Sequence, residues 1–173
     1  MATLATAKTL TVKITEDITL NGVQQGNTTT DTISSISQIY KRIVTVPAND
    51  GDTDESDDEV TLIMTTGGAG STVAAGTFVV GDMKYCRITN LNTGAGEGVV
   101  IQISRDTAGD DSDEETAWLL VEEGKSLIIN TFASAFDAAD AALANYALAD
   151  ISDIRAVAEG TTAVDVEIFI ASS

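Results

Sequence analysis

The sequence predicts an all-β protein, an antiparallel β-sandwich with jelly-roll-like character, about eight or nine strands and one short Ala-rich helical insertion. Three observations carry that expectation. Through most of the 173 residues, apolar side chains recur with a period near two, not 3.6. Runs rich in β-branched residues end repeatedly at Gly, Asn, Asp or Pro. Only one segment, 133–149, has the alanine content and spacing of a helix.

The elements follow in chain order. Residues 1–9 read as an N-terminal arm and 10–173 as one sandwich domain, with no linker or fixed repeat dividing it. Leu10, Val12 and Ile14 alternate with Thr11 and Lys13, the pattern of a half-buried strand. Ile18 to Leu20 ends at the turn pair Asn21-Gly22. The polar stretch from Gln24 to Thr32 suits an exposed strand or a loop. Ile33, Ile36, Tyr40 and Ile43 have helical spacing, yet Tyr40 to Val46 is β-branched and stops at Pro47, so its second half reads as a strand. Val60, Leu62 and Met64 alternate, the run Gly67 to Ser71 breaks them, and Thr77 to Val80 is another short apolar piece.

Three hairpins are expected next. Lys84 to Leu91 and Val99 to Ser104 flank the glycine-rich Asn92 to Gly98. Ala117 to Val121 and Ser126 to Asn130 are joined through Glu122-Glu123-Gly124-Lys125, and Trp118 reads as a core residue. The helical insertion, Ala133 to Ala149, has Asp137 and Asp140 in its early turns. Ile151 to Ala158 then turns at Glu159 to Thr162 into Ala163 to Ala171, where Val164, Val166, Ile168 and Ile170 share one face.

Charge and composition exclude several functions. The 27 acidic residues against 9 basic ones leave a net charge of −18. Nucleic-acid phosphates and anionic membrane surfaces are bound by cations, so neither is an expected partner. No histidine is present, which removes Ser–His–Asp triads, Cys–His dyads and His-containing zinc sites. Cys86 is the single cysteine. It fits a small core residue, and a bridge to another molecule stays open. Met1 to Leu10 lacks the apolar run of a secretory signal, and no stretch reaches the roughly 18–20 apolar residues of a membrane span.

The charge is concentrated. Asp50, Asp52, Asp54, Glu55, Asp57, Asp58 and Glu59 form one run without a base, and Asp106, Asp110, Asp111, Asp113, Glu114 and Glu115 form another. Without those thirteen, 14 acids face 9 bases, a remainder of −5. Such runs suit solvated loops at an exposed end of the fold. They also contain the only metal-ligand candidates, Asp50, Asp52 and Asp54 in the first and Asp111 and Asp113 in the second. An EF-hand needs Gly at its sixth position and Glu at its twelfth. The first run has Glu55 and Thr61 there, and the second has Thr116 in place of the glycine. A looser divalent site, serving a calcium-dependent surface-binding module, stays open. The loop Gly67 to Thr72 lacks the lysine of a phosphate loop. No nucleophile–base or acid–base pair can be assembled, so the chain is not expected to be an enzyme, and no cofactor is implied.

One resemblance is visible across most of the chain. The opening Leu10-Thr11-Val12-Lys13-Ile14 through Asn21-Gly22, the strand Tyr40 to Ala48, the segment Lys84 to Leu91, the run Trp118 to Ile129 and the ending Val164 to Ala171 resemble small structural proteins of tailed-bacteriophage particles. The resemblance implies a non-enzymatic virion component assembled in the bacterial cytoplasm, a capsid decoration (cement) protein or a tail-associated one. Its implied partners are copies of itself and a major capsid or tail protein. The residues expected to meet them are Thr3, Leu4 and Thr6 of the arm with Gln24 and Gln25, since an extended arm can add a strand to a neighbour's sheet.

Overall fold

The computed structural model describes residues 8–49, 58–64, 83–105, 115–130 and 153–173. They form twelve strands: β1 (Lys8–Thr15), β2 (Thr19–Leu20), β3 (Val23–Gln24), β4 (Thr28–Ile36), β5 (Gln38–Val46), β6 (Val60–Met64), β7 (Met83–Asn90), β8 (Val99–Arg105), β9 (Glu115–Val121), β10 (Ser126–Asn130), β11 (Asp153–Ala158) and β12 (Val164–Ser172). The expected helix, Ala133 to Ala149, and the piece Thr77 to Val80 lie outside the described residues.

Two four-stranded antiparallel sheets make the body. One has the order β10-β7-β12-β5 and the other β6-β11-β8-β9. Each central strand carries its apolar alternation on one side. Val164, Val166, Ile168 and Ile170 of β12 meet Val99, Ile101 and Ile103 of β8 and Ile154, Ala156 and Ala158 of β11 in a single buried cluster. The sheets therefore pack face to face as a β-sandwich. Each fully buried Val or Ile there contributes about 1.5–3 kcal/mol relative to exposure. Cys86 of β7 sits in this cluster, fully buried, and burial pushes its thiol up to about 12.

None of the three expected hairpins forms. β7 and β8 lie in opposite sheets, as do β9 and β10, and β11 and β12. Their short connections are arches over the sandwich edge. The physical reason is that both arms of each pair have a strongly apolar face, and an arch sets those faces against each other across the core. A hairpin would only lay them side by side. Within the two four-stranded sheets the pair of chain neighbours is β8 with β9, in register from Val99↔Val121 to Arg105↔Glu115. The second acidic run is thus the link of a hairpin.

That topology corrects a second expectation. Val46, Asn90, Ser126 and Val164 mark one end of the first sheet, so the connection between β5 and β6, with the first acidic run, belongs to that end. Arg105 and Glu115 close the β8–β9 ladder at the other end, beside the pairs Asp153↔Ser104 and Asp153↔Met64. The two acidic runs are therefore anchored at opposite ends of the sandwich, not at one.

β1 and β4 form a separate two-stranded ribbon. Its ladder runs from Leu10↔Ile33 to Thr15↔Thr28, with an irregularity that leaves Ser34 and Ser35 opposite Thr9. Ser35 takes the left-handed conformation, φ 65°, which lets the bulge bend the chain into β5. The helical spacing noted over 33–43 is thus split between two strands at Ser37. The tip is the two-residue hairpin β2–β3, turned by Asn21 and Gly22 at φ 52° and 77°, the pair expected for that turn.

Candidate functional site

Of the residues singled out as partner-binding, Gln24 and Gln25 are described, and both build the ribbon tip. The Gln24 side-chain amide donates to Asp17 Oδ1 at 2.7 Å, and its oxygen accepts from Thr19 Oγ1 at 3.5 Å. The Gln25 N–H donates to the Ile18 carbonyl at 2.8 Å. Thr3, Leu4 and Thr6 lie outside the described residues, as do Asp50, Asp52, Asp54, Asp111 and Asp113. Among the described residues, no group of three or more acids or cysteines is placed to hold a metal ion.

The apolar stripe of the ribbon matters more than those glutamines. Leu10 and Val12 of β1 and Ile33 of β4 lie on one face and pack against Tyr85, Phe169 and Ala171 on the outside of the first sheet. Asn130 at the end of β10 donates to Asp31 Oδ2 of β4 at 3.2 Å. This contact covers only the base. Further along, Ile14, Ile18, Leu20 and Val23 are 52–59 % exposed. The opposite face carries Thr11, Lys13 and Thr15 against Thr32, Thr30 and Thr28, and all are exposed. A two-stranded ribbon with water on both sides is marginal by itself, and four exposed aliphatic side chains add to that cost.

The body presents further apolar residues on its outer faces. Ile39 and Ile43 of β5 are exposed, as are Trp118 and Leu120 of β9. Trp118, expected in the core, points outward because Leu119 and Val121 take the core positions of β9 and strand side chains alternate.

Several charged groups on these faces are paired. Glu167 accepts from Lys41 Nζ at 2.8 Å and Arg87 Nη2 at 2.6 Å. Those contacts, Lys41's foremost, hold its carboxyl below the usual carboxylate range. Arg87 also lies 5.7 Å from the centre of the Phe169 ring. On the second sheet Arg155 bridges Glu59 at 2.8 Å and Asp153 at 2.9 Å. At the arch end, Asn90 is fully buried and ties two connections together, β7–β8 and the start of β9–β10. Its amide donates to the carbonyls of Glu97 (2.8 Å) and Val121 (3.2 Å), and its oxygen accepts the Asn92 N–H at 3.0 Å. Glu123 accepts the N–H groups of Gly96 and Glu97, and its carboxyl is lowered by backbone donors including its own. These groups hold structure together.

Comparison with family models, curated proteins and solved structures finds no match to the chain. The exposed ribbon and the outward apolar residues are the features from which a function is argued. Sequence reasoning passed over Ile14, Ile18, Leu20 and Val23 because strand alternation marks apolar residues for burial without saying which strands have a body beneath them.

Proposed function

We propose that the chain is a non-enzymatic structural component of a tailed-bacteriophage particle, a capsid decoration (cement) protein that works by adhesion. The observation that carries this reading is the ribbon, whose apolar stripe runs from its covered base to an exposed tip at Ile18, Leu20 and Val23. Exposed aliphatic side chains on a projecting, edge-bearing element are used by docking to a partner. The partners in this reading are other copies of the chain and a major capsid or tail protein, and the location is the virion. The strand order supports it at the level of fold. Two sheets ordered β10-β7-β12-β5 and β6-β11-β8-β9, with arches between them, follow a jelly-roll winding, an architecture used in viral shells. Fold alone does not assign function, so the ribbon is the stronger support. The test is mass spectrometry of purified particles from the virus encoding the chain, with particle stability compared when the chain is deleted. Particles that contain the chain and lose heat resistance without it support the reading, and particles that lack it end it.

A further inference from the structure

We propose that the outer edge of β1 in one copy pairs antiparallel with the outer edge of β9 in a second copy, with Val12 opposite Trp118. Among the described residues β9 pairs only with β8 and β1 only with β4, so within that part of the fold each presents an outer edge with no strand on it. Other edges are protected. β5 carries exposed Lys41 and an Arg42 that donates to the Leu62 carbonyl of β6. β6 is interrupted by the irregularity that leaves Leu62 unmatched, and β4 by the bulge at Ser34 and Ser35. β10 has five residues, the last engaged by Asp31. β9 has none of these protections. It is in unbroken register with β8, is uncharged from Thr116 to Val121, and exposes Trp118 and Leu120. Such an edge is a template for another strand.

Charge selects the occupant. Acids flank β9 on both sides, with the run from Asp106 to Glu114 before it, Glu115 at its first position and Glu122 and Glu123 after it. A two-fold β9–β9 pair with Trp118 opposite Leu120 would set Glu115 against Glu123, which like-charge repulsion opposes. β1 has the opposite character, because residues 1–15 contain Lys8 and Lys13 and no acid. Antiparallel pairing with Val12 opposite Trp118 sets Leu10 opposite Leu120, Ile14 opposite Thr116 and Lys8 opposite Glu122. A slip of two residues either way puts Leu10 opposite Glu122 or Lys8 opposite Leu120, so this register is preferred. It also carries Trp118 and Leu120 toward the apolar layer formed by Tyr85 and Phe169 beneath Leu10 and Val12. Within one chain the ribbon rests on the first sheet and β9 belongs to the second, so the pair forms between copies. Such a heterologous contact builds rings or open arrays.

The pairing rests on the adhesive reading of the ribbon, but it is tested on purified full-length protein, while the particle reading is tested on virions. The two can therefore fail separately. The variants V12C and W118C are mixed and treated with a short bismaleimide. A mixed V12C–W118C dimer is expected. Little product is expected from T11C with W118C, since Thr11 points to the other face. Cys86 stays unlabelled in the fold. Sedimentation at roughly 100 μM, enough to populate micromolar assembly, should show oligomers that L120K weakens at least about tenfold. K8E should weaken them too, and adding E122K in the same chain should restore them. Lys8, Thr11, Trp118, Leu120 and Glu122 are exposed and Val12 is half-buried, so unchanged near-ultraviolet circular dichroism in each variant is required to confirm the fold. A monomer at that concentration, equal cross-linking through Thr11, or W118C joining mainly to itself overturns the proposal.

Discussion

Replacing Asn90 with Ala tests the idea that one buried amide holds the arch end of the sandwich. The side chain makes three hydrogen bonds, two to the carbonyls of Glu97 and Val121 and one from the Asn92 N–H. Leaving a buried polar group unpaired costs about 1–3 kcal/mol. The Val121 carbonyl bond is buried and bears that cost nearly in full, while the other two are partly buried and recover part of theirs from water. With the small cavity left behind, the loss comes to about 3–4 kcal/mol. For a chain of this size, 1 kcal/mol lowers Tm by about 2–4 °C, so a fall of roughly 10 °C is expected. The comparator is Asn92→Ala. It removes a bond to the Ala163 carbonyl and one from the Asp165 N–H, both exposed, and should cost under about 1 kcal/mol. Urea unfolding followed by circular dichroism measures both, with an unchanged m-value as the check on two-state behaviour. If Asn90→Ala loses less than about 1 kcal/mol, or Asn92→Ala loses as much as Asn90→Ala, the account of this end is wrong.

Two more predictions concern the outer face and the ribbon. Glu167 has a lowered carboxyl through Lys41 and Arg87, so its stabilisation is complete above the ordinary carboxylate value near about 4.3 and is lost as pH falls through the lowered folded value. The Tm difference between wild type and Glu167→Gln should therefore be present at neutral pH and vanish in strong acid, and a gap that widens in acid contradicts the ion pairs. At the ribbon neck, a Cβ on Gly26 would lie 1.9 Å from the Glu16 carbonyl oxygen. Gly26→Ala should speed amide exchange at Gln25 and Glu16 by about tenfold or more while the sandwich keeps its Tm. Uniform exchange across both would show that ribbon and body do not open separately.

Much of the sandwich was legible from side-chain alternation. Val99, Ile101 and Ile103, and Val164 through Ile170, face the core as their period predicts. Alternation reports which side of a strand is buried, but not which strand lies beside it. For that reason the links at Asn92–Gly98, Glu122–Lys125 and Glu159–Thr162 read as hairpin turns when they are arches. Trp118 was misplaced for a related reason: its size suggested burial, but its position between Ala117 and Leu119 decides its side. Asn90 had a faint signal, a polar residue in phase with Cys86 and Ile88. Its three partners come from distant or irregular segments that local spacing does not encode. The ribbon's exposure was hidden because Leu10, Val12 and Ile14 show the same pattern whether or not a sheet lies beneath them.

The acidic runs anchored at opposite ends of the sandwich act as a spacing rule for neighbours. A nine-residue strand such as β5 or β12 spans about 30 Å, several times the roughly 8 Å over which salt at physiological strength lets charges sense each other. The two poles of one molecule therefore scarcely interact. Copies stacked pole to pole bring like poles within that range and repel, whereas copies set flank to flank keep each run clear of the opposite one. In the assembly proposed above, growth would therefore be directed sideways, and lowering the salt should sharpen that preference.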